Sequence, residues 1–459
     1  MRSGSVRSKM ARSRREIVTL QDALEATGTL IPRERFEDVR RHIDPAWVAE
    51  ALEATGTATV RKRRLPAEQV VWLVIGMALF RKWPIHDLVG HLDLVLPGPK
   101  PTVVPSAVAE ARARLGGDPV ERLFETTARK WVQDVARKQA WRGLGVYAVD
   151  GSTLRIADSD ENRAHFGVSS SQRGTSGYPL VRLVALMAVR THLLASVAYG
   201  PYASGELKVS ESIWRQVPDH SLVIVDRQFL AANILVPLAR DGRHRHWLTR
   251  AKTKTRWTVL KSLSKNEDLV EIEISDPARK GNPSLPLVYQ ARAIRYQRPG
   301  FSPQVLLTSL LDPVAYPAKE VIALYHERWE IELGYDEIKT EMLDRLETIR
   351  SRTVAGVEQE LWGIFLAYNL VRLEMQRIAA DLGVRPTQIS FVAALRLICE
   401  TWAWCAIASP GAIPTRLRTM REIFPRLVLP DRRTTRQYPR AVKLKMSHFD
   451  RKRRPDAVA

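Results

Sequence analysis

Two acidic residues stand out by position. Asp150 closes the short apolar run Gly145-Val-Tyr-Ala-Val and precedes Gly151-Ser152, and Asp226 closes the run Ser221-Leu-Val-Ile-Val. Carboxylates at the ends of neighbouring strands in an α/β sheet lie where such sheets gather ligands and metals. An Asp-Gly-Ser turn or a helix-capping Asp explains either one alone; the pair says more. A third acid comes from Tyr325-His-Glu-Arg328-Trp-Glu-Ile-Glu332, followed by Lys339. At about 100° per residue, Tyr325, Arg328, Glu332 and Lys339 fall within an arc of about 60° on one helix face. Glu327, Glu330 and Glu337 point away from it. An ion-paired surface helix shows such a stripe too, but beside two strand-end acids it reads as a carboxylate ligand flanked by phosphate-binding groups.

The elements that must position these residues follow from hydrophobic period and punctuation. Residues 1–16 read as a basic, disordered arm, and 17–140 as a helical region. Its helix Ala107 to Leu115 presents Arg112 and Arg114 and is a candidate recognition helix for DNA, or else a solvated face. Residues 141–250 give the order β-β-β-α-β-α-β of an α/β core, with the first strand ending at Asp150 in a Gly151-Ser152 turn. Residues 251–307 alternate as strands between Pro, Gly and Asn clusters. Residues 308–385 complete the α/β core, with helix returning at Pro317 and a long apolar helix from about Val357 to Leu382. Residues 386–459 form a helical region with a basic tail from Arg432 to Arg454, whose one acid is Asp450.

The 459-residue chain carries 71 Lys and Arg against 50 Asp and Glu, a formal net charge of +21. With 45% hydrophobic residues it is an ordinary globular mixture, which excludes a wholly disordered or collagen-like protein. The excess charge points to a polyanionic partner, nucleic acid first. Cys399 and Cys405 fit neither a zinc knuckle nor a redox pair and are expected as buried thiols. The longest apolar run, Val70 to Phe80, has 11 residues, short of the ~18–20 that span a bilayer. The start lacks the apolar region of a secretory signal. A cytoplasmic protein is expected.

The run from Tyr325 to Lys339 matches the Y-x2-R-x3-E-x6-K signature of bacterial DDE transposases of the insertion sequence four family. Asp150-Gly151-Ser152 resembles that family's first Asp block, and Asp226-Arg227-x-Phe229 its second, with Gln228 where Gly is more usual. The approach Thr308-Ser309-Leu310 to Tyr316-Pro317 is similar as well. The resemblance implies a ribonuclease H-like α/β catalytic core with a β-rich insertion, flanked by helical N- and C-terminal regions. It makes Asp150, Asp226 and Glu332 the catalytic carboxylates and ligands of two Mg²⁺ ions. Hard oxygen donors suit Mg²⁺ or Mn²⁺ rather than Zn²⁺, and His244 and His246 read as phosphate or solvent contacts. By the same resemblance Tyr325, Arg328 and Lys339, with Arg227, hold the DNA backbone. Trp257 and Trp247 are candidates for stacking on a flipped base, or else core residues, and Trp329 is expected to pack the signature helix on the sheet.

The implied function is cut-and-paste transposition. The protein binds the terminal inverted repeats of its element in double-stranded DNA, cleaves with metal ions and transfers the strands to target DNA. Holding two ends implies a homodimeric synaptic complex, with the helices from Val357 onward as its expected interface. Two other readings stay open: a stand-alone structure-specific nuclease, and a DNA-binding protein on the same fold without turnover. Inverted repeats flanking the reading frame would favour the transposase.

Overall fold

The apolar run that opens at Gly145 becomes the central strand of a mixed sheet. β1 (Gly145–Ile156) pairs antiparallel with β2 (Leu180–Ala188), and β2 antiparallel with β3 (Leu194–Pro201). On its other side β1 runs parallel to β4 (Ser221–Val225), and β4 parallel to β5 (Arg245–Arg250). The order β3-β2-β1-β4-β5 is the ribonuclease H-like arrangement. β4 is buried throughout, as a parallel strand covered on both faces must be. The computed structural model describes residues 43–58, 65–92, 94, 103–168, 177–298, 301–343, 348–407, 415, 419 and 422–430. The expected arm over 1–16 and the tail from Arg432 to Arg454 lie outside the described residues.

The strand-rich insertion continues this sheet. β6 (Thr258–Ser264), β7 (Glu267–Glu273), β8 (Val288–Tyr296) and β9 (Gln304–Thr308) follow one another antiparallel, and β9 returns to pair with β5. A short β10 (Thr348–Ile349) joins the far end of β1. The expected turn at Gly151-Ser152 does not form. β1 runs on to Ile156 because β2 pairs with it all the way, Gly151 opposite Val184 and Ser152 opposite Leu183. What stops at this point is β4, whose last paired residue is Val225, opposite Val149.

Helices α1 (Pro45–Ala54), α2 (Ala67–Leu79), α3 (Ile85–His91), α4 (Pro105–Leu115) and α5 (Asp118–Lys138) precede the sheet. Pro45 at the first turn and the Asp44 side chain, which accepts from the Ala46 N–H, set the start of α1. Between strands lie α6 (Asp160–Phe166), α7 (Glu206–Val209), α8 (Ala232–Arg240) and α9 (Asp276–Gly281). After β9 come α10 (Ala318–Glu327) and α11 (Trp329–Asp336), then α12 (Val354–Leu382) and α13 (Phe391–Ile407). Thr353 caps the start of α12, and Gly383, at φ +67°, ends it in the left-handed conformation glycine tolerates.

The core is continuous from the N-terminal helices through the sheet to α12. Most of α12 is buried, including Leu361, Phe365, Tyr368 and Met375. α2 and α5 pack against it, and Gly363 admits Val74 so closely that a Cβ there would lie 2.5 Å from Val74 Cγ1. α12, the first of the helices expected at an intermolecular interface, is instead largely buried as the spine of its own chain. Among the described residues no helix is long and apolar enough to cross a membrane.

Candidate active site

Register brings the first two acids together. Val149 on β1 lies opposite Val225 on β4, so Asp150 and Asp226 are the next residues of two paired parallel strands. β5 extends the row: Thr249 lies opposite Val225, and Arg250 follows it. Asp226 leaves its strand as the cap of a single 3₁₀ turn, accepting at 2.7 Å from the Gln228 N–H, with Arg227 exposed on that turn. Lys252 braces the same turn from below by donating to the Leu230 carbonyl at 3.0 Å.

The signature helix crosses this row. Arg328 is the hinge residue between α10 and α11. Its guanidinium donates to Glu332 Oε1 at 2.7 Å and to Asp150 Oδ2 at 3.4 Å, tying two of the three acids together. The Tyr335 hydroxyl donates to the Asp150 carbonyl at 2.8 Å and pins the helix to β1. Beyond α11 the chain widens into a π-helical turn, Glu337–Met342, which carries Lys339 to 3.5 Å from Ser152 Oγ. Asp150, Gly151, Ser152, Glu332, Tyr335, Asp336 and Lys339 line a cavity of about 240 Å³.

Burial pushes the Asp150 carboxyl up to about 6. The Gly151 N–H and Arg328 pull it down, while Glu332 and Glu206 push it further up. Burial likewise raises the Tyr325 phenol, which feels Arg328, Arg250 and Asp226 together, so it sits over the same row. Arg328 remains a firm cation, since Glu332 and Asp150 offset the cost of its burial.

Residues 20–125 match the family described as insertion element 4 transposase N-terminal, and residues 141–370 match the transposase DDE domain. Over 403 residues the chain is 39% identical to Transposase InsG for insertion sequence element IS4 of Escherichia coli (strain K12), across 88% of this chain and 90% of that protein. The chain belongs to the insertion element 4 family of DDE transposases. A Putative transposase InsZ of the same organism is 34% identical over 233 residues, half of this chain and 76% of that one. A solved piggyBac transposase synaptic complex with hairpin DNA aligns over 92% of the chain and 87% of its own, at 12% identity and a TM-score of 0.40, and carries no weight in the assignment.

A DDE transposase domain implies a divalent cation. Asp150, Asp226 and Glu332 carry hard carboxylate oxygens of the kind such a cation takes. Among the described residues no three acidic, His or Cys side chains are gathered tightly enough to hold a metal. Asp150 and Glu332 are spanned instead by Arg328. The donor chemistry of this transposase therefore fits, with a guanidinium between two of the donors.

Several expected site residues lie elsewhere. Arg112 turns inward, donating to Gln359 Oε1 at 2.9 Å and to Ser351 Oγ at 3.3 Å, so it joins α4 to α12 and is corrected from a DNA contact to a packing residue. Arg114 is exposed beside Glu110. Trp247 is buried in β5, and its stacking role is corrected to a core role. Trp257 is half-buried against the core ahead of β6. Trp329 does not pack on the sheet: it is 51% exposed, with the Arg328 guanidinium over its ring. His244 stacks on His220, and His246 lies near Ser309, both at the opposite strand ends from Asp226. Cys399 is a half-buried free thiol. Arg250 and Glu206 were missed. Glu206 is paired with Arg182 and packed where a Cβ on Gly151 would meet it at 2.4 Å. A β5 end in register with Asp226 was the one available signal for Arg250; nothing in the spacing marks Glu206.

Proposed function

We propose that this transposase holds two divalent cations, Mg²⁺ or Mn²⁺, with Asp150, Asp226 and Glu332, cuts double-stranded DNA at the inverted repeats ending its own element, and joins the freed ends to target DNA. The observation that carries this reading is the shared register of Asp150 and Asp226, with Arg328 linking Asp150 to Glu332. When bound, the cations activate the attacking water or 3′-hydroxyl and stabilise the leaving oxygen of an in-line displacement.

The chain's own groups position the DNA. Arg328 offers a planar fork that suits a phosphate once it leaves the carboxylates. Lys339 stands as a point charge over Ser152, Tyr325 offers a hydroxyl over Asp226, and Arg227 and Arg250 extend the cationic border along the strand ends. Two element ends need two such sites, so the working assembly is a homodimer on DNA. The chain's positive charge supports sequence-independent phosphate contact through counterion release.

The test is excision of a marker placed between the gene's flanking sequences, comparing wild type with Glu332→Gln and Asp226→Asn in Mg²⁺. Wild type is expected to release the marker, and both variants to bind the ends without cutting. Excision by the variants at the wild-type rate would rule out this carboxylate site.

A further inference from the structure

The face of the signature helix opposite the catalytic stripe is anchored by a buried charge network. Glu330 and Glu337 project from it onto His192, Arg372 and Tyr368. His192 occupies the β2–β3 turn at φ +60°, a conformation that costs a non-glycine residue energy. Its Nε2 lies 2.7 Å from Glu330 Oε2, and its Nδ1 lies 3.4 Å from Glu337 Oε2. Arg372 and Tyr368 come from α12. The guanidinium pairs with Glu337 and touches the His192 ring, and the Tyr368 hydroxyl donates to Glu337 Oε2 at 2.8 Å. His192, Arg372 and Tyr368 are all 1% exposed or less.

The placement of these anchors matters. Glu330 is two residues before Glu332 on the same helix, so holding one at the back sets the rotation that turns the other to the front. Glu337 is the first residue of the π-helical turn and stands two before Lys339. π turns are rare and concentrate at functional sites. Burial alone would push the Glu337 carboxyl up, but Arg372 and then His192 more than offset it and hold it at about 2. The turn therefore starts from a fixed negative charge clamped to the spine helix.

We infer that Glu330 and Glu337, held by His192, Arg372 and Tyr368, are positioning residues for catalysis: they fix the helix rotation that presents Glu332 and the π turn that presents Lys339. The inference rests on the catalytic reading above. None of the five lines the cavity shared by Asp150, Glu332 and Lys339, so their loss is expected to leave affinity for DNA unchanged and to lower the rate of the chemical step. A catalytic group displaced by about 1 Å costs on the order of 10²-fold in rate.

Arg372→Met alone strands a buried carboxylate and is expected to lower Tm. The test therefore rests on the double variant Glu337→Leu/Arg372→Met, which removes both charges and keeps an apolar filling, and on His192→Gln. Full-length proteins are compared in single-turnover cleavage of a labelled duplex carrying the element end, alongside end-binding affinity, Tm and a Glu332→Gln control. The expected result is a double variant with Tm and DNA Kd near wild type and cleavage slowed about 10- to 100-fold. His192→Gln, which keeps a donor toward Glu330, should be slowed less. Cleavage at the wild-type rate with the control inactive would overturn the positioning role and leave the catalytic reading intact. Cleavage by the Glu332→Gln control at the wild-type rate would overturn both.

Discussion

Replacing Arg328 by Gln separates two roles of one guanidinium, and the structure gives them opposite signs. In the free protein Arg328, with 12% of its side chain exposed, contacts Glu332 at 2.7 Å and Asp150 at 3.4 Å. A hydrogen bond to a charged group is worth about 1.5–3 kcal/mol. Counting the shorter contact fully and the longer one as weak, an incoming cation must displace roughly 2 kcal/mol, or about 30-fold in affinity. Arg328→Gln is therefore expected to bind Mn²⁺ without DNA about 10- to 50-fold more tightly than wild type. Titration calorimetry at pH 8 measures this, because Asp150, raised to about 6 mainly by burial, stays ionised there even when the downward pull of Arg328 is gone. The same variant is expected to cut DNA more slowly, having lost the fork that grips phosphate. Mn²⁺ affinity equal to or weaker than wild type would refute the idea that Arg328 competes with the cation.

Four further outcomes follow from particular contacts. The folded Asp150 carboxyl is raised from 3.8 to about 6 by burial, so whatever stability it contributes is present below about pH 4 and is lost as pH rises through 6. Metal-free Asp150→Asn is thus expected to be more stable than wild type at pH 7.5, by at most about 3 kcal/mol, with the gap narrowing toward pH 4 in urea unfolding. Gly363→Ala drives a methyl into Val74, 2.5 Å from Cγ1 and 3.0 Å from its carbonyl oxygen. Such overpacking costs about 1–3 kcal/mol, and thermal melting should show it while Gly356→Ala near the start of the same helix, where only side-chain atoms crowd, loses less. Arg112→Ala breaks the bonds to Gln359 and Ser351 and should cost about 1–2 kcal/mol of stability with no change in the salt dependence of DNA binding. Arg114→Ala should leave Tm alone and, where α4 lies on DNA, reduce the salt slope by about 1.

What could be read in advance was whatever a local period or a fixed spacing encodes. The two acids stood out because fully buried parallel strands appear as unbroken apolar runs, and the signature stripe because residues 3, 7 and 14 apart share a helix face. Glu327, Glu330 and Glu337 were correctly set apart by the same arithmetic, and they meet Arg190, His192 and Arg372 behind the helix. The errors arose where a distant partner decides. Gly151-Ser152 carries turn residues, yet β2 pairs across it and the strand continues. Arg112 and Arg114 are both basic residues of one short helix, and only the position of Gln359, far along the chain, turns the first inward. Trp329 was expected against the sheet, but the face it would need belongs to Ile331 and Tyr335. α12 was expected at an interface between copies because two DNA ends must be held together, yet most of it is buried inside its own chain. The π turn left no local trace, and its first residue, Glu337, is held by Arg372 and Tyr368 from α12. The front of the signature helix is thus written in its own spacing, while the contacts behind it come from the β2–β3 turn and from α12.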